Sequence, residues 1–166
     1  TFEVADIDHL PFDNEVFDVV LAHHVIYHAE NKDQAHSELQ RVVKKGGLVS
    51  ITSNSEKHMF NVYEIGRALD PGFPTDRIID SFTEEIADTL LLRFFESVQK
   101  KVSEELLKVT DLEILINYVK SGVEPRNISL TSGFWEKYTA IARQEIDAQG
   151  YFGIPKRSPL YLCRKS

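Results

Sequence analysis

The sequence holds one cysteine, Cys163, in 166 residues, so an internal disulfide is excluded. No apolar run approaches the roughly 20 residues that span a bilayer, and Thr1 opens directly in sheet-like sequence with no basic or apolar leader. Together these absences describe a soluble protein of a reducing cytoplasm with no membrane partner. Positive charge is also short, with 19 Lys and Arg against 26 Asp and Glu and a net charge of -7. The basic residues are scattered, so no stripe tracks a phosphate backbone and nucleic acid is excluded as a partner. Eight glycines are present and none forms a GxGxG loop, the cradle that a nucleotide-binding sheet uses. Repeats and low-complexity runs are missing too, which leaves ordinary globular material long enough for one domain.

What is present begins with Phe17 to Thr52, "FDVVLAHHVIYHAENKDQAHSELQRVVKKGGLVSIT". Thr1 to Ala5 reads as a short strand running into Asp6. The valine-rich run Phe17 to Ala22 has the look of a strand buried on both faces of a parallel sheet. Asn31 or Asp33 caps a helix whose Ala35, Leu39, Val42 and Val43 recur at helical spacing, and Gly46-Gly47 stops it. Leu48 to Thr52 is the next strand. Two strands joined by one helix form a parallel crossover, so this part is α/β.

Further along, Met59 to Leu69 reads as a helix stopped by Asp70-Pro71-Gly72. Phe82 to Phe95 reads as another, with Ile86, Leu90 and Phe94 on one stripe. Val98, Lys100, Val102, Glu104 and Leu106 alternate as in a strand. Thr110 caps a helix ending at Gly122, and Thr131 or Ser132 opens a longer one ending at Gly150. Tyr151 to Ile154 and Leu160 to Arg164 read as two strands separated by Pro155 and Pro159, antiparallel because their connection is short.

The stretch "ADIDHLPFDNEVFDVVLAHHVIYHAENKDQAHSELQRVVKKGGLVSIT" resembles the second half of a class I S-adenosylmethionine-dependent methyltransferase domain of the type 11 group. The linked features are Asp6, the Leu10-Pro11-Phe12 turn, Phe17-Asp18, His28 and "RVVKKGG", with Lys45 where the family usually has proline. "FFESVQKKVSEELLKVTDLEILINYVKSG" resembles the insert that one branch of the family places before its last helix. The implied fold is an α/β, partial Rossmann-like methyltransferase sheet from the third strand onward, with a mainly helical insert. Its implied division is 1–56 for the cofactor sheet, 57–130 for the insert over the acceptor site, and 131–166 for the last helix and terminal strands.

The resemblance implies S-adenosylmethionine as cofactor and methyl transfer to a small-molecule acceptor. Asp6 is then the acceptor for the adenine amine and Ile7 offers its backbone N–H to a ring nitrogen. Ala22 and His23 lie along the cofactor through backbone atoms, and His28, His24 or Tyr27 faces the transferred methyl as positioning group or general base. The family's first strands and glycine loop have no counterpart in this sequence, which implies the C-terminal portion of a longer enzyme that has little activity alone. In that architecture Thr1 to Ala5 has no neighbour to pair with and Phe17 to Ala22 is an exposed edge, which implies a homodimer through that edge.

Other readings compete for individual residues. His23, His24 and His28 form H-H-x-x-x-H, but no cysteine or arranged carboxylate accompanies them, so no metal is assigned. Glu38 and Arg41 read as a surface pair, and Lys44 and Lys45 suit a helix C-terminus. Phe60, Tyr63, Phe73, Phe82, Phe94, Phe95 and Tyr118 could line an acceptor pocket, although core is the reading for most of them, and Trp135 anchors the last long helix. A response-regulator-like or dehydrogenase-like domain would need a phosphoacceptor pattern or a glycine fingerprint that the sequence lacks. A non-catalytic interaction domain derived from a methyltransferase is the alternative that the missing loop keeps open.

Overall fold

The computed structural model describes residues 2–74 and 81–166. Four strands form one sheet in the order β1-β2-β4-β3, comprising β1 (Phe17–His23), β2 (Val43–Thr52), β3 (Ser97–Val109) and β4 (Phe152–Arg164). The helices are α1 (Lys32–Val42), α2 (Phe60–Leu69), α3 (Glu84–Leu90), α4 (Leu112–Val123) and α5 (Phe134–Gln149). Strands β1 and β2 run parallel and β4 runs antiparallel to β2. This is the α/β sheet that the crossover pattern predicts, and the fold is the Rossmann-like one.

The chain divides into two compact units. One draws its described residues from Thr1–Glu56, Arg77–Ser103 and Arg157–Ser166, the other from Lys57–Asp76 and Glu104–Lys156. The first unit buries Ala22, Ile26, Leu39, Val49, Ile51, Phe82, Leu91 and Tyr161 in one cluster. The second buries Val62, Phe73, Leu115, Val119, Phe134, Tyr138 and Ile154. There Gly66 is required, because a Cβ at that position would stand 2.3 Å from the Phe73 ring. Trp135 is half-buried and meets Phe134 edge-on at 5.0 Å.

Several sequence expectations are corrected. Among the described residues of Thr1 to Ala5 there is no strand, and Phe2 and Val4 are fully exposed because no neighbouring strand supplies a ladder; Thr1 lies outside the described residues. Strand β1 is covered on one face only. Ala22 is buried, while Val19 and Leu21 on the opposite face are 52% and 67% exposed. Helix α1 ends at Val42, before the glycines, and Gly46 sits inside the β2 span with φ +70°, where the chain bulges between the Phe17↔Val43 and Val19↔Leu48 pairs. Its cap is Asn31, whose side chain accepts from Gln34 N–H.

The helix expected over Phe82 to Phe95 is shorter. Thr83 caps α3, a 3-10 turn covers Leu91–Arg93, and the buried positions are Ala87, Leu91 and Phe95 rather than Ile86, Leu90 and Phe94. Asp111, not Thr110, caps α4 by accepting from Glu113 and Ile114, and Gly133 precedes α5 in place of Thr131 or Ser132. The two terminal strands are one strand, β4, which pairs with β2 instead of folding back on itself. A proline withholds its N–H but keeps its carbonyl. Pro159 O accepts from Ser53 N–H at 3.3 Å, and Pro155 O accepts from Met59 N–H at 2.8 Å. Of the aromatic residues weighed for a pocket, Phe73, Phe82 and Phe95 are core, whereas Phe60 and Tyr118 are exposed.

His36 on α1 is fully buried between Phe82 and Phe94, with ring centroids 5.3 and 5.4 Å away. Its Nδ1–H donates to the Lys32 carbonyl at 2.6 Å, which leaves Nε2 buried with no partner. Burial holds its pKa below the ordinary histidine value; the Lys32 carbonyl and Asp33 oppose this weakly, and Arg93 and Lys32 add to it. As pH falls below about 6.5 the unfolded chain takes up this proton before the folded one does, so stability drops. The slope from this one group is bounded at about 1.4 kcal/mol per pH unit. Chemical denaturation between pH 7.5 and 5 should show it, and His36→Leu should flatten the profile; an unaltered slope in that variant would exclude His36 as the source.

Candidate functional site

The segment after Ala5 has little secondary structure, and side chains from elsewhere hold it. Asp6 opens a tight turn in which its Oδ1 accepts from Asp8 N–H at 3.0 Å and its carbonyl accepts from His9 N–H at 3.0 Å. Asp8 then turns inward and is buried, its Oδ2 accepting from Glu30 and Asn31 N–H at 3.1 and 3.0 Å. Those two amides lie at the entrance to α1, where donors lack helical partners, so Asp8 ties the loop to the positive end of that helix.

The middle of α1 holds the same loop. Glu38 Oε2 accepts from Leu10 N–H at 2.8 Å. Arg41 forms a two-point pair with Glu38 at 2.7 Å in each arm and donates to the carbonyls of Leu10 and Phe12 and to Asn14 Oδ1. Glu38 is nearly buried, and the Arg41 guanidinium keeps its carboxyl below the usual range although burial pushes the other way. This corrects the surface-pair reading of Glu38 and Arg41, because the pair fixes the backbone of the Leu-Pro-Phe turn. Asp8, Glu38 and Arg41 were not legible as partners of that turn, since each contact joins residues more than 20 positions apart.

A cavity of about 360 Å³ runs along β1, lined by Ile7, Leu10, Phe12, Val20, Ala22, Val25 and Leu39 among other apolar residues. It brings together Ile7 and Ala22, two of the four residues expected at the cofactor. Among the described residues no further hydrogen bond reaches the Asp6 carboxylate.

The end of β1 carries the remaining candidates. His23 Nε2 lies 2.8 Å from Ser50 Oγ on β2. His24 adopts φ +51°, and its N–H donates to Thr52 Oγ1 at 3.0 Å. The chain then closes a 3-10 turn, Ile26–His28, with His28 N–H donating to Val25 O at 2.9 Å. The turn sets the Tyr27 and His28 rings 4.6 Å apart at a tilt of 55° and leaves the His24 ring 6.5 Å from Tyr27. Thus His24, Tyr27 and His28 do form one group. Partial burial, helped by the neighbouring His23, lowers the His24 pKa, so at neutral pH this ring is a proton acceptor. Among the described residues no group of three His, Cys, Asp or Glu is arranged to hold a metal ion, and no helix is long and apolar enough to cross a membrane.

Residues 1–51 match the family model of the methyltransferase domain. A curated relative, the ubiquinone/menaquinone biosynthesis C-methyltransferase UbiE of Ralstonia pickettii (strain 12J), is 40% identical over 53 residues, which cover 32% of this chain and 22% of that protein. The UbiE protein of Ralstonia nicotianae matches over the same length with the same identity. The matched stretch therefore spans about a fifth of the length of these curated relatives. Among solved structures, the YcgJ protein from Bacillus subtilis superposes with a TM-score of 0.54 at 12% identity, covering 96% of this chain and 69% of that one. A Bacillus halodurans C-125 protein described as a candidate methyltransferase gives a TM-score of 0.52 at 16% identity, covering 97% and 75%. These likenesses establish the fold.

The Arg41 contacts generate a direct expectation. Arg41→Met keeps the aliphatic stem but leaves the Glu38 carboxylate and two loop carbonyls without their donor, which should lower the urea midpoint. Glu38→Gln should cost less, because an amide can still accept from Leu10 N–H. Urea unfolding of both variants measures the difference; an Arg41→Met loss below that of Glu38→Gln would show that the pair is a surface ornament.

Proposed function

We propose, from the match of residues 1–51 to the methyltransferase domain model, that the protein methylates a small-molecule acceptor with S-adenosylmethionine as donor. The observation that carries the reading is the apolar cavity along β1 that Ile7 and Ala22 line together, with Asp6 on the adjoining turn. S-adenosylmethionine supplies a methyl group on a sulfonium, already activated for transfer. Asp6 would accept from the adenine amine, Ile7 N–H would donate to a ring nitrogen, and the backbone of Ala22 and His23 would flank the cofactor at the strand end, where open α/β sheets collect ligands.

The chain's other task is to present the nucleophile in line and take its proton where it carries one. His28, His24 and Tyr27, whose rings neighbour one another, would take that role, and the lowered His24 pKa would suit proton acceptance. This sequence carries no GxGxG loop to hold the methionine part, so the 166-residue chain alone would bind the cofactor weakly and turn over little. We also infer a homodimer through the free edge of β1. Antiparallel self-pairing about Val20 would set Val19 against the partner's Leu21, an apolar and self-complementary match that carries no charge to block it.

Two measurements test these readings. In a protein carrying the complete methyltransferase domain, Asp6→Ala should weaken S-adenosylhomocysteine binding by about 1–3 kcal/mol, the cost of leaving a polar partner unpaired. Calorimetric titration that finds no change would remove Asp6 from the site. For the partner claim, sedimentation of this chain at micromolar concentration should give a dimer that Leu21→Lys converts to monomer; a monomeric parent chain would contradict it.

A further inference from the structure

Strand β2 sends two hydroxyls across the parallel pair to the two histidines that end β1. Ser50 lies under His23, and two residues on, Thr52 accepts from the His24 amide. The last register pair of the ladder is His23 with Thr52, so His24 is the first residue beyond it and its N–H has no strand carbonyl to use. At that residue the backbone is left-handed, with φ +51°, a conformation that residues with a Cβ adopt at a cost. The chain needs the turn there, because it must leave an extended strand and enter the 3-10 turn at Ile26 within two residues. A strained residue with an orphaned amide holds its shape only when something outside the turn binds it. Thr52 Oγ1 is the contact that does so.

We propose that Thr52 is a positioning residue for methyl transfer, its hydroxyl fixing the left-handed turn at His24 and, through that turn, the arrangement of His24, Tyr27 and His28. The proposal rests on reading the end of β1 as the reacting site. In-line transfer tolerates little displacement of the group facing the nucleophile, so a side chain carried on a loop has to be held from a rigid element, and β2 is one. Serine keeps the needed oxygen at position 52; valine keeps the shape and loses it.

The test is NMR of the 166-residue chain as wild type, Thr52→Val and Thr52→Ser, following the His24 amide exchange and the titration of its ring. In wild type and Thr52→Ser the amide should be protected and the ring should titrate below the ordinary histidine range. In Thr52→Val the amide should exchange about fivefold to tenfold faster, as expected for one lost hydrogen bond, and the ring should titrate nearer the ordinary value. Unchanged His24 behaviour in Thr52→Val, or failure of Thr52→Ser to restore it, overturns the proposal. S-adenosylhomocysteine added to a protein carrying the complete methyltransferase domain, as wild type and Thr52→Val, reads the underlying assignment separately. Shifts at His24 and Tyr27 support it, whereas a Thr52-dependent His24 with no response to this probe leaves the turn's support intact and removes its link to methyl transfer.

Discussion

Arg41 and Glu38, one helical turn apart on α1, bind the backbone of a loop at Leu10, 28 residues before Glu38. The loop forms no ladder of its own beyond the isolated Asp6–His9 bridge, so its order depends on side chains that reach it. Two separate parts of α1 do this work. The helix entrance receives the Asp8 carboxylate, and the third turn supplies a guanidinium whose donors meet two carbonyls and a paired carboxylate. A nearly buried carboxylate is costly when alone and favourable when a fork of donors faces it, so the pair and the loop stabilise one another. The Asp6–Ile7 turn inherits its geometry from this arrangement.

The sheet is unequal on its two faces in the first unit. Val20, Ala22, Val49, Ile51, Tyr161 and Cys163 face the cluster under α1 and α3, and burial pushes the Cys163 thiol up to about 12, which makes it inert packing rather than a nucleophile. Val19 and Leu21 face the other way and are exposed. A polar seam closes the buried side. Glu84 sits between Arg157 and Lys100 at 2.6 and 3.1 Å, and Tyr161 donates to Asp88 at 2.8 Å. Buried charge is thus neutralised locally on the packed face, while the bare face of β1 offers an apolar surface.

The order of elements was legible because hydrophobic periodicity agrees with burial in α1, α2, α4 and α5, whereas β3 forms although its side chains are mostly exposed. It failed where a distant partner decides the outcome. Residues 2–5 have strand composition but no strand beside them, and β4 reads as two pieces because prolines punctuate it, although their carbonyls still serve neighbouring amides. The alternation over Val98 to Leu106 was the better guide than the helix-forming residues within it. At the site, Asp6, Ile7 and the His24–Tyr27–His28 group stood out in one local stretch. Asp8, Glu38, Arg41, Ser50 and Thr52 did not, because their role exists only after the loop meets α1 and β1 meets β2. A long-range contact leaves no local signature in one sequence.

Helix α1 holds the Asp6–Ile7 turn in place before any ligand arrives. Native-state hydrogen exchange of three amides reads this directly, since Leu10 N–H donates to Glu38, and Glu30 and Asn31 N–H donate to Asp8. All three should be protected to within about tenfold of the β2 amides, as members of one cooperative unit. Exchange of these amides at the rate of the exposed residues 2–5 would contradict it, and the turn would then be a loop that only ligand binding could order.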